Sequence, residues 1–161
     1  MFRVYKLITM LSKNKNLKIA IAGLGFGKKV HLEALKESSY LTPVAIYHYD
    51  KKQKSILEKE TGLEFFHDWE DLVKSQEIDG IIIATPPESR FKLAKQALEN
   101  NKNLLLEKPV SISSSEIEEL QRISLINNLS VCVDFEYRAV PLFLQTKKLI
   151  DENTLGEIYL V

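Results

Sequence analysis

A single cysteine, Cys132, stands among the 161 residues, which excludes an internal disulfide framework and fits a reducing, cytoplasmic setting. Neither sign of charge is in excess, since 22 Lys and Arg face 22 Asp and Glu. That balance argues against nucleic acid as the main partner, because gripping a phosphate backbone needs a basic excess or a basic face. Long apolar runs are also missing. The N-terminal stretch Leu7 to Leu11 is interrupted by Thr9 and has no small-residue cleavage pattern, so neither a membrane span nor a signal peptide is expected there. Residues 1–16 read as an extension ahead of the first strand.

What is present suits an ordinary globular domain: 45% hydrophobic and 27% charged residues, in a length that supports one sizeable core and hardly two. Cys132, inside the apolar run VCV, reads as part of that core. Apolar runs alternate with helical periodicities along the whole chain. Ile19–Ala22 is a strand, and Val30/Ala34 and His31/Leu35 give an apolar helix face over about 28–38. Pro43 opens a second strand, PVAIYHY, and a charged helix from Lys51 to Glu60 stops at Gly62. Leu63–Phe66 is a short strand, and Asp68 caps a short helix. Ile81–Ala84 reads as a buried strand, Phe91, Ala94, Ala97 and Leu98 mark a helix, and LLLE ending at Glu107 is a fifth strand. Ser113 and Glu116 are spaced as a capping box, and Ser130–Phe135 closes the series. Short connections between alternating strands and helices predict an α/β fold with a doubly wound parallel sheet of the Rossmann kind.

Ligands of such sheets bind beyond the carboxyl ends of the strands, and the unusual residues of this chain fall there. After the first strand come Gly23, Gly25, Phe26, Gly27 and Lys28. Gly23 permits a sharp turn and Gly25 a close approach of pyrophosphate to the backbone. The third glycine of G-x-G-x-x-G is replaced by Lys28, with Gly27 one place early, so either Gly27 provides the packing slack or the helix sits further out. Lys28 could reach a phosphate. At the end of the second strand stands His48 where an acid usually binds both ribose hydroxyls, with Asp50 two residues later and Lys51, Lys52 and Lys54 nearby. A carboxylate would repel a 2′-phosphate and a histidine among lysines could accept one, which favours NADP over NAD. The plain alternative makes Asp50 an N-cap and the lysines a solvated helix start.

Thr85-Pro86-Pro87 fixes a rigid turn, either as punctuation or as a wall against the nicotinamide side of a cofactor. Arg90 follows in the first helical turn, as a surface residue or as an anion contact. Glu107-Lys108-Pro109 places charge after three leucines, where it must be paired or used: a strand-ending salt bridge, or a lysine that donates a proton to, or polarises, an oxygen.

Together AGLGFGKKVH, the TPP turn, LLLEKPVS, RAVP and LGEI resemble the Gfo/Idh/MocA oxidoreductases, from about Leu17 to the end of the chain. The resemblance implies hydride transfer between nicotinamide C4 and a hydroxyl-bearing carbon of a sugar, cyclitol or similar small molecule. It makes Lys108 the catalytic lysine that bonds the reacting oxygen, Glu107 the acid that positions the nicotinamide end, and Pro109 a proline often preceded by a cis bond. His31 matches a histidine of the family's first helix and reads as packing. It also implies 17–136 as the dinucleotide-binding domain. Residues 137–161 then hold a linking helix (Pro141–Glu152) and the first strand (Gly156–Val161) of a second, α+β domain through which a full-length form would assemble as a homo-oligomer. No metal is implied. A catalytically silent NAD(P)-binding module, a biliverdin reductase and, from the first glycine turn alone, a methyltransferase are the alternative readings.

Overall fold

The computed structural model describes residues 16–159; the extension ahead of residue 16 and the last two positions of the expected final strand lie outside them. Six strands, β1 (Leu17–Ala22), β2 (Leu41–Tyr47), β3 (Glu64–Phe66), β4 (Gly80–Ile83), β5 (Asn103–Glu107) and β6 (Val131–Asp134), form one sheet in the order β3-β2-β1-β4-β5-β6. Every pairing is parallel. The chain starts in the middle of the sheet, builds outward to β3, then returns beside β1 to build the other half. That reversal between β1 and β4 opens a crevice at the carboxyl end of the sheet.

Alternation along β1 sorts the core. Ala20 and Ala22 face Trp69, Leu72 and Val73 of α3 (Trp69–Lys74), Ala94, Ala97 and Leu98 of α4 (Pro87–Glu99), and Leu120 and Ile123 of α5 (Ser114–Ile126). Ile19 and Ile21 face the opposite layer, with Leu32 and Leu35 of α1 (Leu32–Lys36) and Leu57 of α2 (Lys54–Thr61). The run GIII is buried throughout, and in NLLLE Leu104, Leu106 and Glu107 are buried while Asn103 and Leu105 are half-buried.

Several local expectations are corrected. The first helix buries His31, Leu32 and Leu35, while Val30 and Ala34 are exposed. β2 begins two residues before Pro43, and its pairing with β1 shifts at that proline, which has no N–H for the ladder. The capping box does not close. Glu116 bonds the Ser111 hydroxyl instead, while Ser113 turns its hydroxyl to Ser115. Cys132 is exposed, because β6 is an edge strand whose outer face has no helix over it. The linking helix is present as α6 (Pro141–Asp151), and none of its residues is buried. Residues 156–159 form no strand, there being no neighbouring strand beside them among the described residues. Among the described residues no helix is long and apolar enough to cross a membrane.

Candidate dinucleotide site

The glycine turn is built against the end of β4. Gly23 adopts φ +117°, and a Cβ there would lie 2.5 Å from the carbonyl oxygen of Ala84, so only glycine fits. Gly25 has nothing within 4 Å of where its Cβ would be, leaving its backbone approachable from outside. Gly27 takes the packing role, since its Cβ would meet Ile21 and Ala84 at 3.1 and 3.2 Å. The helix therefore sits close, and the early glycine is accommodated by a π-turn, Gly27–His31, in which Leu32 N–H bonds the carbonyl of Gly27. That wide turn takes up one residue before α1 begins.

Between β1 and β4 the crevice encloses about 810 Å³, a volume that suits a large part of a dinucleotide. Gly23, Gly25, His48, Thr85, Pro86 and Pro87 all line it. Phe26, Gly27, Lys28, Glu107 and Lys108 do not. Lys28 pairs with Glu60 of α2, so its charge is already engaged. His48 accepts the Asp50 N–H at Nδ1 (3.2 Å), which leaves Nε2 as the donor of a neutral ring. Asp50 caps the following turn by accepting Lys52 N–H at 3.0 Å, and Lys51, Lys52 and Lys54 are exposed. The capping part of the plain reading therefore holds for Asp50. An open glycine backbone, a histidine donor and a proline wall around one crevice fit a dinucleotide.

Arg90 overturns the expectation of a surface residue, although it lines the same crevice. It is buried, and its guanidinium donates to the carbonyls of Thr85, Glu107 and Pro109. One side chain thus ties the TPP turn to the turn after β5, whose Lys108-Pro109 bond is cis. Burial pushes the guanidinium pKa down, and Glu107 nearby opposes the shift. No spacing rule could have revealed this, because its acceptors are backbone atoms of other loops.

Glu107 and Lys108 do not form a salt bridge with each other. Lys108 is half-exposed and pairs with Glu136 at 3.0 Å, in the short 3₁₀ turn Glu136–Ala139. The hydrogen bond that Lys108 donates to Glu136 holds the lysine pKa above its usual value, and the same bond holds the Glu136 carboxyl below its own. Sequence reasoning missed Glu136; an acid just past the sixth strand end was the available signal. Glu107 is buried. Its Oε1 lies 2.9 Å from His31 Nε2, and its Oε2 accepts the Lys108 backbone N–H at 3.2 Å. Asp134, directly opposite Glu107 in the β5–β6 register, lies 3.7 Å from the same imidazole nitrogen. Burial first, and then the nearby Glu107 and Glu136, raise the Asp134 carboxyl pKa against the opposing influence of His31. The polar atoms of His31, Glu107 and Asp134 lie within 4.8 Å of one another. Within this set the imidazole and the Glu107 carboxylate are in direct hydrogen-bonding contact at 2.9 Å. His31 is therefore a polar partner and not only packing. Phe26 covers it edge-on, with ring centres 5.3 Å apart.

Residues 17–135 match the family model of the Gfo/Idh/MocA oxidoreductases, an oxidoreductase family with an NAD-binding Rossmann fold. An uncharacterised oxidoreductase of Synechocystis is 33% identical over 152 residues, covering 94% of this chain and 41% of that protein. Inositol 2-dehydrogenase of Rhodococcus jostii is 26% identical, over 93% of this chain and 42% of its own length. Among solved structures, scyllo-inositol dehydrogenase of Lactobacillus casei with bound NAD(H) and scyllo-inositol matches 89% of this chain and 43% of its own, with TM-score 0.80 and 27% identity. This chain thus spans less than half the length of these relatives.

Proposed function

Because the chain belongs to the Gfo/Idh/MocA oxidoreductase family, we propose that it is the nucleotide-binding part of an NAD(P)-dependent dehydrogenase or reductase. Its substrate class is a sugar, cyclitol or similar small hydroxy or keto compound. The observation that carries the reading is the meeting of the glycine turn, His48 and the TPP turn in one crevice where the strand order reverses. The substrate class is supported by the inositol 2-dehydrogenase relative and by the glucose-6-phosphate 3-dehydrogenase of Bacillus subtilis, 29% identical over 88% of this chain.

In this reading Gly23, Gly25, Phe26 and Gly27 shape the backbone that receives the pyrophosphate, and Lys28 joins it only by leaving Glu60. His48, with Nδ1 held by the Asp50 N–H, turns a donor toward the adenosine ribose, which favours a 2′-phosphate and hence NADP. Thr85, Pro86 and Pro87 wall the nicotinamide side. When bound, the dinucleotide supplies the hydride site at nicotinamide C4. Glu107 fixes the Lys108 peptide through its N–H. Lys108, charged beside Glu136, is the catalytic group: it donates a hydrogen bond to the reacting oxygen and passes a proton as that oxygen changes between hydroxyl and carbonyl. Residues 137–161 lead into a second domain that completes the substrate site. The full-length form acts in the cytoplasm as a homo-oligomer.

Calorimetric titration of the chain with NADPH, NADH and S-adenosylmethionine tests the first step. Binding of NADPH ahead of NADH supports the His48 role, and binding of NADH alone transfers it to Asp50. A folded chain, by circular dichroism, that binds only S-adenosylmethionine or nothing overturns the reading.

A further inference from the structure

The buried Glu107 and the half-buried Asp134, at the ends of β5 and β6, pose a charge problem. Glu107 and Asp134 are register partners on adjacent parallel strands and face the same side, toward His31 of the first helix. Two neighbouring carboxylates with little access to water cannot both be charged without compensation. Arg90 of α4 donates to the Glu107 backbone carbonyl and makes no ion pair with its carboxylate, although the two charges influence one another. Lys108 is drawn away to Glu136 on the 3₁₀ turn. The His31 imidazole faces both carboxylates and its one Nε2–H goes to the nearer, Glu107 at 2.9 Å, with Asp134 at 3.7 Å.

We propose that Asp134 keeps its proton and donates it to Glu107, so that one shared proton under the Lys108 peptide fixes the position of Lys108. Glu107 then accepts three donors: Nε2–H of His31, the Lys108 backbone N–H and the Asp134 carboxyl. A buried carboxylate so satisfied is rigid, and it holds the peptide from which the Lys108 side chain departs. His31 and Asp134 are positioning residues, since they act on Lys108 only through Glu107. Burial raises the Asp134 carboxyl pKa, and the facing Glu107 and Glu136 add to that rise while His31 opposes it. The proton is therefore present at low pH and is lost as pH climbs through the raised value, when a second negative charge appears beside Glu107 and the turn loosens.

The proposal rests on the catalytic assignment of Lys108 only for its consequence; the proton itself is measurable without cofactor. The experiment is carboxyl-carbon NMR of the full chain labelled with ¹³C-aspartate, alongside the amide resonance of Lys108, across a pH titration. The expected result is one aspartate carboxyl un-ionised at neutral pH, and a Lys108 amide shift with the same midpoint. Asp134→Asn, neutral and of the same shape, should remove that aspartate signal and abolish the pH-dependent shift of the Lys108 amide. An Asp134 carboxyl already ionised at neutral pH, or a Lys108 amide that ignores its titration, overturns the proposal. Should Asp134→Asn fail to fold, the wild-type titration decides alone. A chain that binds no dinucleotide would overturn the functional reading and leave these signals untouched.

Discussion

Replacing Arg90 with methionine would leave the carbonyls of Thr85, Glu107 and Pro109 without their shared charged donor. Removing one partner of such a buried charged set costs about 3 kcal/mol or more, so urea unfolding of Arg90→Met should show a loss of that size. At Lys108 the expected change is in ionisation. Glu136→Gln removes the main influence that raises the lysine pKa, which should fall when followed by ¹⁵N NMR of the side chain. The Glu136 carboxyl is depressed, so the stability it lends is present above its unfolded pKa and fades as pH falls through the folded value. The roles of Arg90 and His31 escaped sequence reasoning for one physical cause. Their partners are set by folding: Arg90 bonds backbone 17 and 19 residues away, and His31 meets Glu107 across 76. Gly23 was legible because its demand is local.

At the level of elements, the close seat of the first helix on β1 depends on two glycines with different tolerances. Gly23→Ala forces a Cβ to 2.5 Å from a backbone carbonyl at positive φ, and should abolish dinucleotide binding in calorimetry along with much of the fold. Gly27→Ala meets side-chain carbons at 3.1 and 3.2 Å, which a small helix shift can relieve, for an expected cost of about 1–3 kcal/mol in chemical unfolding. Strands were read well because IIIA and LLLE are continuous apolar runs that only a covered parallel sheet explains. Of the expected face of the first helix, His31 and Leu35 are buried but Val30 and Ala34 are not, since the helix opens with a π-turn whose extra residue no 3.6-residue periodicity anticipates. The capping box failed for a similar reason: Ser111, two residues before Ser113, competes for Glu116.

Over the whole molecule, the two layers of helices cover the sheet unequally. The face bearing Leu17, Ile19, Leu41, Ile82, Leu105 and Cys132 carries an open apolar groove, and α6 exposes Leu142, Phe143, Leu144 and Ile150. A thiol reagent should therefore modify Cys132 in the folded chain without denaturant, but more slowly than after unfolding, because burial holds the thiol pKa above its usual value. The alternation of strands and helices made the doubly wound architecture readable, but uneven coverage is a property of the assembled layers and has no signature in VCV itself.

The pairing of β1 with β4, Ile19 opposite Gly80, also sets an order of events. The segment 20–79 must close before the crevice has its second wall, and the entropic toll of closing so long a loop falls early, ahead of the contacts that reward it. A dinucleotide can recognise nothing until that closure is done. It should leave the refolding rate nearly unchanged and act on the reverse process, lengthening the lifetime of the native chain.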